Sequence, residues 1–170
     1  GLYGRVPRLK SPEQIIAELE CMLAQRSHPQ TIYFVDDNFI GNRRAARDLV
    51  PHLIEWQKRR GYPLSFACEA TLNISKQTEL LKLMQAASFV NIFAGIETPD
   101  IEALKRMRKE QNATLPMMES IRTLNSYGME VVSGIILGLD NDTPDSGKHL
   151  LEFVEQSQIP LLTMNLLQAL

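Results

Sequence analysis

The sequence is poor in the residues that usually announce a metal or redox site. It has only two cysteines, Cys21 and Cys68, far apart, so no Cys-x-x-Cys motif can form. Cys21 lies in a helical apolar pattern and Cys68 in a strand pattern, so both read as small buried hydrophobes. Their scarcity fits a reducing, cytoplasmic compartment. The three histidines, His28, His52 and His149, fall in or beside predicted helices, where solvation is expected rather than ligation. No apolar run approaches the roughly 20 residues that span a bilayer, and the first residues lack the apolar core of a secretory signal. Net charge is −2, which gives no push toward nucleic acid or an anionic membrane. No Gly/Ser linker, low-complexity tract or shift in composition marks a second domain.

What is present is a regular alternation of strand-like and helix-like segments over 170 residues. Ser11-Pro12-Glu13-Gln14 has the signature of a helix start, with Ser at N-cap, Pro at N1 and Gln at N3. Ile15, Ile16, Leu19, Met22 and Leu23 then follow at helical spacing. Thr31 to Val35 reads as a strand, and a helix from about Asn42 to Arg60 carries Pro51 inside it, where a kink is expected. Further strands are predicted at Leu64–Cys68, Phe89–Ile96, Met129–Leu137 and from Leu161 onward. Helices are predicted from about Ser75, from Thr98-Pro99-Asp100 to about Arg106, from Leu115 to Tyr127, and after Thr143-Pro144-Asp145. The strands are almost continuously apolar, as expected for a parallel sheet covered on both faces. A whole or partial barrel and a doubly wound open sheet both fit. In either, function belongs at the carboxyl ends of the strands.

Those ends are polar or glycine-rich in four of the five predicted strands: Asp36-Asp37-Asn38, then Glu69, then Glu97, then Gly134 and Gly138 with Asp140-Asn141-Asp142. Converging carboxylates and backbone carbonyls suit a cationic or hydroxyl-rich ligand and suit a phosphate poorly. Asp and Asn after a strand also cap helices and build turns, so both roles stand open for Asp36-Asp37-Asn38. Glu69 and Glu97 have no obvious turn role, although Glu97 could serve as an ion-pair partner. An all-carboxylate magnesium site is a further option. The basic runs Lys58-Arg59-Arg60 and Lys105-Arg106-Met107-Arg108-Lys109 lie at or after helix ends, where they complement the helix dipole.

In this order the motifs resemble a family. Phe34-Val35-Asp36-Asp37-Asn38-Phe39 is similar to the segment after the second barrel strand of radical S-adenosylmethionine (SAM) proteins. Within that family, Asp-Asp-Asn belongs to a subset often fused to a cobalamin-binding domain. Ala94-Gly95-Ile96-Glu97-Thr98 resembles that subset's fourth strand, and Gly134-Ile135-Ile136-Leu137-Gly138 its fifth. Lys109-Glu110-Gln111-Asn112 and Leu2-Tyr3-Gly4-Arg5-Val6-Pro7-Arg8 resemble the same subset.

The resemblance implies an α/β fold over residues 1–170: a partial (β/α) TIM-like barrel of about five parallel strands, lacking its first strand and cluster loop. The family's Cys-x-x-x-Cys-x-x-Cys motif is absent, as truncation upstream of Gly1 would produce. By position, Asp36, Asp37 and Asn38 would hold the amino group of SAM, largely through backbone carbonyls. Glu69 and Glu97 would face the cofactor, Glu97 nearest the ribose hydroxyls or the amino group. Gly134, Ile135 and Ile136 would pack the adenine, and Asn141 stands where many relatives have Glu. The implied parent enzyme holds a 4Fe-4S cluster, takes electrons from a reducing donor and cleaves SAM to a 5′-deoxyadenosyl radical.

Cobalamin-dependent methyl transfer to a small-molecule or lipid-type substrate is the expected outcome. A methylthiotransferase acting on RNA or protein, and a non-catalytic decayed barrel, are the rivals. The missing first strand would leave Thr31–Val35 as an open edge, which predicts dimerisation or low solubility.

Overall fold

The computed structural model describes residues 9–25, 30–100, 104, 116–140 and 142–167. Five parallel strands lie side by side in chain order: β1 (Gln30–Phe34), β2 (Leu64–Glu69), β3 (Phe89–Glu97), β4 (Glu130–Leu137) and β5 (Leu161–Leu166). Parallel neighbours need long crossovers, and helices supply them. They are α2 (Arg43–Arg60), α3 (Thr78–Ala86), α4 (Met117–Ser126) and α5 (Ser146–Ser157), with α1 (Pro12–Gln25) ahead of β1. The sheet curls into a half-barrel, as the partial-barrel reading expects.

One face of the sheet carries the core. Phe66 and Cys68 of β2, Ile92, Ala94 and Ile96 of β3, and Val131 and Ile135 of β4 are buried against Val50, Leu53, Trp56, Leu80, Leu81, Met84, Ile121 and Leu124 of the helices. Phe34, Phe39, Phe66 and Phe89 cluster with ring centroids 5.4 to 5.9 Å apart. Alternate residues point to the concave side and remain partly open: Ser65 and Glu69 on β2, Asn91, Phe93 and Gly95 on β3, Val132 and Gly134 on β4.

Local chemistry fixes the helices much as the sequence suggests. Ser11 Oγ accepts from Gln14 N at 3.3 Å, while Gln14 Oε1 accepts from Ser11 N at 2.9 Å, a reciprocal cap. Asn42 caps α2 through Ala45 N at 3.1 Å, and Gly61 closes it with φ of 71°. The helix runs on through Pro51. Buried Gln57 donates to Leu64 O at 2.5 Å and Ala87 O at 3.1 Å, tying α2 to the start of β2 and the end of α3.

Two expectations need correction. The helix expected from Ser75 begins at Thr78, because Leu72–Lys76 forms a separate 3-10 turn in which Ser75 bonds Ser120 across the core at 3.1 Å. Cys21 and Met22 are exposed, because α1 lies at the sheet margin and buries fully only Leu19. There Glu20 accepts from Trp56 Nε1 at 2.9 Å and pairs with Arg60, which fastens α1 to α2. The short helix expected from Thr98 to Arg106 lies largely outside the described residues, apart from helical Leu104.

Candidate functional site at the strand ends

Because all five strands run the same way, Asp36, Glu69, Glu97 and Gly138 follow or close their strands at one end of the sheet. The register sets their heights, with Phe34 beside Cys68, Glu69 beside Phe93 and Glu97 beside Ile135. The loop after β1 is fastened to the tip of β2. Phe39 N donates to Glu69 O at 2.8 Å, and Asn38 Oδ1 accepts from Thr71 N at 3.4 Å. Asp36 Oδ1 accepts from Asn38 N at 3.2 Å, and Gly41 N donates to Asn38 O at 2.7 Å. Asp36 and Asn38 therefore spend side-chain bonds on holding the loop, while the Asp37 side chain is exposed.

Glu69 points to the concave face beside Tyr33. Burial, the hydrogen bond to Glu69 and that carboxylate's charge push the Tyr33 phenol up to about 12. The phenol therefore stays a donor, and it orients the carboxylate. Lower on the same face Thr31 and Ser65 bond side chain to side chain at 2.8 Å, and Asn91 donates to Glu130 at 3.4 Å. Polar groups thus stand on the concave face both at the base of the strands and at the rim.

Glu97 ends β3 in an unusual way. Its φ is 69°, and Thr98 N donates to Ile96 O at 2.8 Å, so the residue is the centre of a tight three-residue turn. Half-buried Glu97 has a partner of its own within the protein.

On β4, Gly134 faces inward: a Cβ there would lie 3.4 Å from Thr163 Oγ1 and 3.6 Å from Phe93 Cζ. Ile136 shares that side, whereas Ile135 is buried toward the helices. Ile135, Ile136 and Leu137 also line a cleft of about 330 Å³ with Thr98, Asp142 and His149. His149 is exposed in the first turn of α5, as its reading as a solvated helix residue expects, and there it stands at the side of this cleft. Asn141 lies outside the described residues. Its neighbour Asp142 accepts from Gly138 N at 2.7 Å and Leu139 N at 3.0 Å, which shapes the loop.

The donor set fits the organic cofactor and not the cluster. The Glu69 and Glu97 carboxylates are of the type that accepts from an ammonium or from hydroxyls, while Gly134, Ile136 and Phe93 offer a close apolar floor for a flat ring. The cysteines do the opposite of what iron ligation requires. Burial, with the adjacent Glu69 charge, pushes the Cys68 thiol up to about 12, and Cys21 is on an outer helix. Among the described residues no group of three His, Cys, Asp or Glu is placed to hold a metal ion.

The sequence profile of the radical SAM superfamily matches residues 2–154. The chain is 65% identical over 170 residues to the hopanoid C-2 methylase of Rhodopseudomonas palustris, covering 100% of this chain and 32% of that protein. It is 38% identical over 169 residues to an uncharacterized methyltransferase of Synechocystis, covering 99% of this chain and 31% of that protein. The chain thus spans about a third of the length of the curated relatives it matches. The fold is similar to that of OxsB, a cobalamin-dependent SAM radical enzyme solved with aqua-cobalamin bound. The TM-score is 0.69 at 19% identity, over 93% of this chain and 24% of that one.

Proposed function

Because the chain belongs to the radical SAM superfamily, we propose that it forms the SAM-binding part of the barrel of a methylase whose substrate is a hopanoid-type polycyclic lipid. The observation that carries this reading is the 65% identity to a hopanoid C-2 methylase over the entire chain. The family's cofactors are SAM and a 4Fe-4S cluster, and cobalamin is implied by the resemblance of the Asp36-Asp37-Asn38 and Glu97 segments to the cobalamin-associated subset.

When bound, these groups supply the methyl group and the electron chemistry. The chain's own residues do the holding. Carbonyls of the Asp36–Asn38 loop and the Glu69 carboxylate accept from the SAM amino group, with Tyr33 orienting Glu69. Glu97 accepts from the ribose hydroxyls or the same amino group. Gly134 and Ile136 pack the adenine, with Ile135 behind them. The cluster thiolates come from elsewhere in the parent protein, since neither Cys21 nor Cys68 suits them. The parent draws electrons from a reducing donor and works in the cytoplasm. The outer edge of β1, which pairs only with β2 among the described residues, is covered by a further strand or by a second copy.

The test is to express the full-length protein in a hopanoid-producing bacterium deleted for its own methylase, and to analyse the lipids by mass spectrometry. Hopanoids one methyl group heavier, methylated at C-2, are the expected product, and Glu97→Gln should reduce them. Intact SAM cleavage with unmodified hopanoids would overturn the lipid assignment. Methylthio groups appearing on RNA or protein would instead favour the methylthiotransferase reading.

A further inference from the structure

Ser133 is a polar residue in an otherwise apolar column. It lies on the helix-facing side of β4 between Val131 and Ile135, opposite Ala94, and is fully buried. A buried hydroxyl needs partners, and its two strongest bonds go to the backbone of the neighbouring strand. Ser133 Oγ donates to Ala94 O at 2.7 Å and accepts from Ile96 N at 3.3 Å. Those two groups flank the point where the ladder slips. Gly95 pairs with Gly134 and Glu97 with Ile135, so Ile96 is the extra residue. An extra residue in a ladder leaves its backbone groups without strand partners. The Ser133 hydroxyl takes up the Ile96 N–H, and Ile96 O accepts from Thr98 N at 2.8 Å. Between these anchored groups Glu97 is held at φ 69°, a left-handed conformation that a non-glycine residue keeps only when its surroundings impose it.

We propose that Ser133 is a positioning residue for Glu97. Its hydroxyl pins both sides of the slipped ladder, and this sets where the Glu97 carboxylate stands at the rim. Ser133 faces the helices, so it acts on the ligand only through the β3 backbone. An alanine there would leave Ile96 N unanswered, strip the hydroxyl bond from Ala94 O and free the turn to relax toward an extended strand end, swinging the carboxylate away. The inference rests on the reading that Glu97 contacts SAM.

The experiment measures SAM affinity by equilibrium dialysis, and urea unfolding in parallel, on the full-length cluster-bearing protein. The variants are Ser133→Ala, Glu97→Gln and the pair together. Ser133→Cys, which keeps the size and loses most of the hydrogen bonding, replaces Ser133→Ala if that variant does not fold. Ser133→Ala should weaken SAM binding roughly tenfold. The double variant should bind no worse than Glu97→Gln alone, because the serine works through the glutamate. Easier unfolding with unchanged affinity would make Ser133 merely structural and overturn the inference while leaving the Glu97 reading intact. Fully additive losses would overturn it too, by showing another route. Unchanged affinity in Glu97→Gln would overturn the Glu97 reading itself, and the inference with it.

Discussion

On the helix-facing side of the sheet Phe66, Ile92 and Ile96 are wholly buried, and polar groups that reach that layer are bonded within the protein, Gln57 and Ser133 to backbone and Ser75 to Ser120. On the concave side Ser65, Glu69, Asn91 and Glu97 alternate with them along the same strands and stay partly open. The same backbone thus presents two chemistries with a period of two. The difference separates two kinds of cost. A change on the helix side removes packing that has no substitute, whereas a change on the concave side trades one solvated polar group for another and is felt only by a ligand.

The largest effect should come from deleting a core ring. Phe66→Ala is expected to cost about 3–5 kcal/mol in urea unfolding, while Ser65→Ala next to it should stay within about 1 kcal/mol, since it loses one exposed bond to Thr31. Similar costs for the two would erase the distinction between the faces. Gln57→Leu comes next. It removes the donor to Leu64 O and Ala87 O, and the orphaned carbonyls should cost about 1–3 kcal/mol despite the gain of an apolar side chain.

Glu69→Gln should leave unfolding nearly unchanged but weaken SAM binding roughly tenfold. It should also shift a titration. The Tyr33 phenol is neutral when protonated and its pKa is raised to about 12. Its contribution to stability is therefore complete below the unfolded value of about 10 and is lost as pH rises through 12. Glu69→Gln removes the carboxylate's charge and its hydrogen bond, so the phenol should ionise at lower pH. Tyrosinate absorbance, with Tyr33→Phe as the subtraction control, reads this directly. A phenol that does not move would show that burial alone holds it.

The smallest perturbation is a chemical label. At pH 8 iodoacetamide should modify Cys21 and leave Cys68 untouched, because Cys68 is buried and its thiol is pushed up to about 12. The same sign applies here, so this protection persists at neutral pH and fails only as pH climbs toward that value or the helix-side core opens. Peptide mapping that found Cys68 labelled as fast as Cys21 in the native protein would contradict the closed core beneath β2.

Much of this arrangement was legible in the residues. The Ser11–Gln14 cap and the apolar strand runs marked elements that the structure contains, and the parallel order follows from helices long enough to cross between strands. The placement of Glu69 and Glu97 at one rim came from the same logic. What was not legible depends on contacts between distant segments. Exposure of Cys21 and Met22 follows from α1 packing mainly on α2 among the described residues, and an apolar helical period carries no record of what it will face. The Ser133 bond to β3 spans |i−j| of 39 residues, and a serine in a strand looks unremarkable until the register slip opposite it is known.

Each strand of the sheet pairs with the one synthesised just before it, from β1 to β5, without a jump. A nascent chain leaving the ribosome therefore never has to hold a strand in waiting: every new strand–helix unit meets an edge that is already in place. Assembly can proceed like the laying of planks, one at a time and in one direction, each closure spanning a single crossover helix. β5 enters last, and its Leu161, Met164 and Leu166 stay exposed on its two faces.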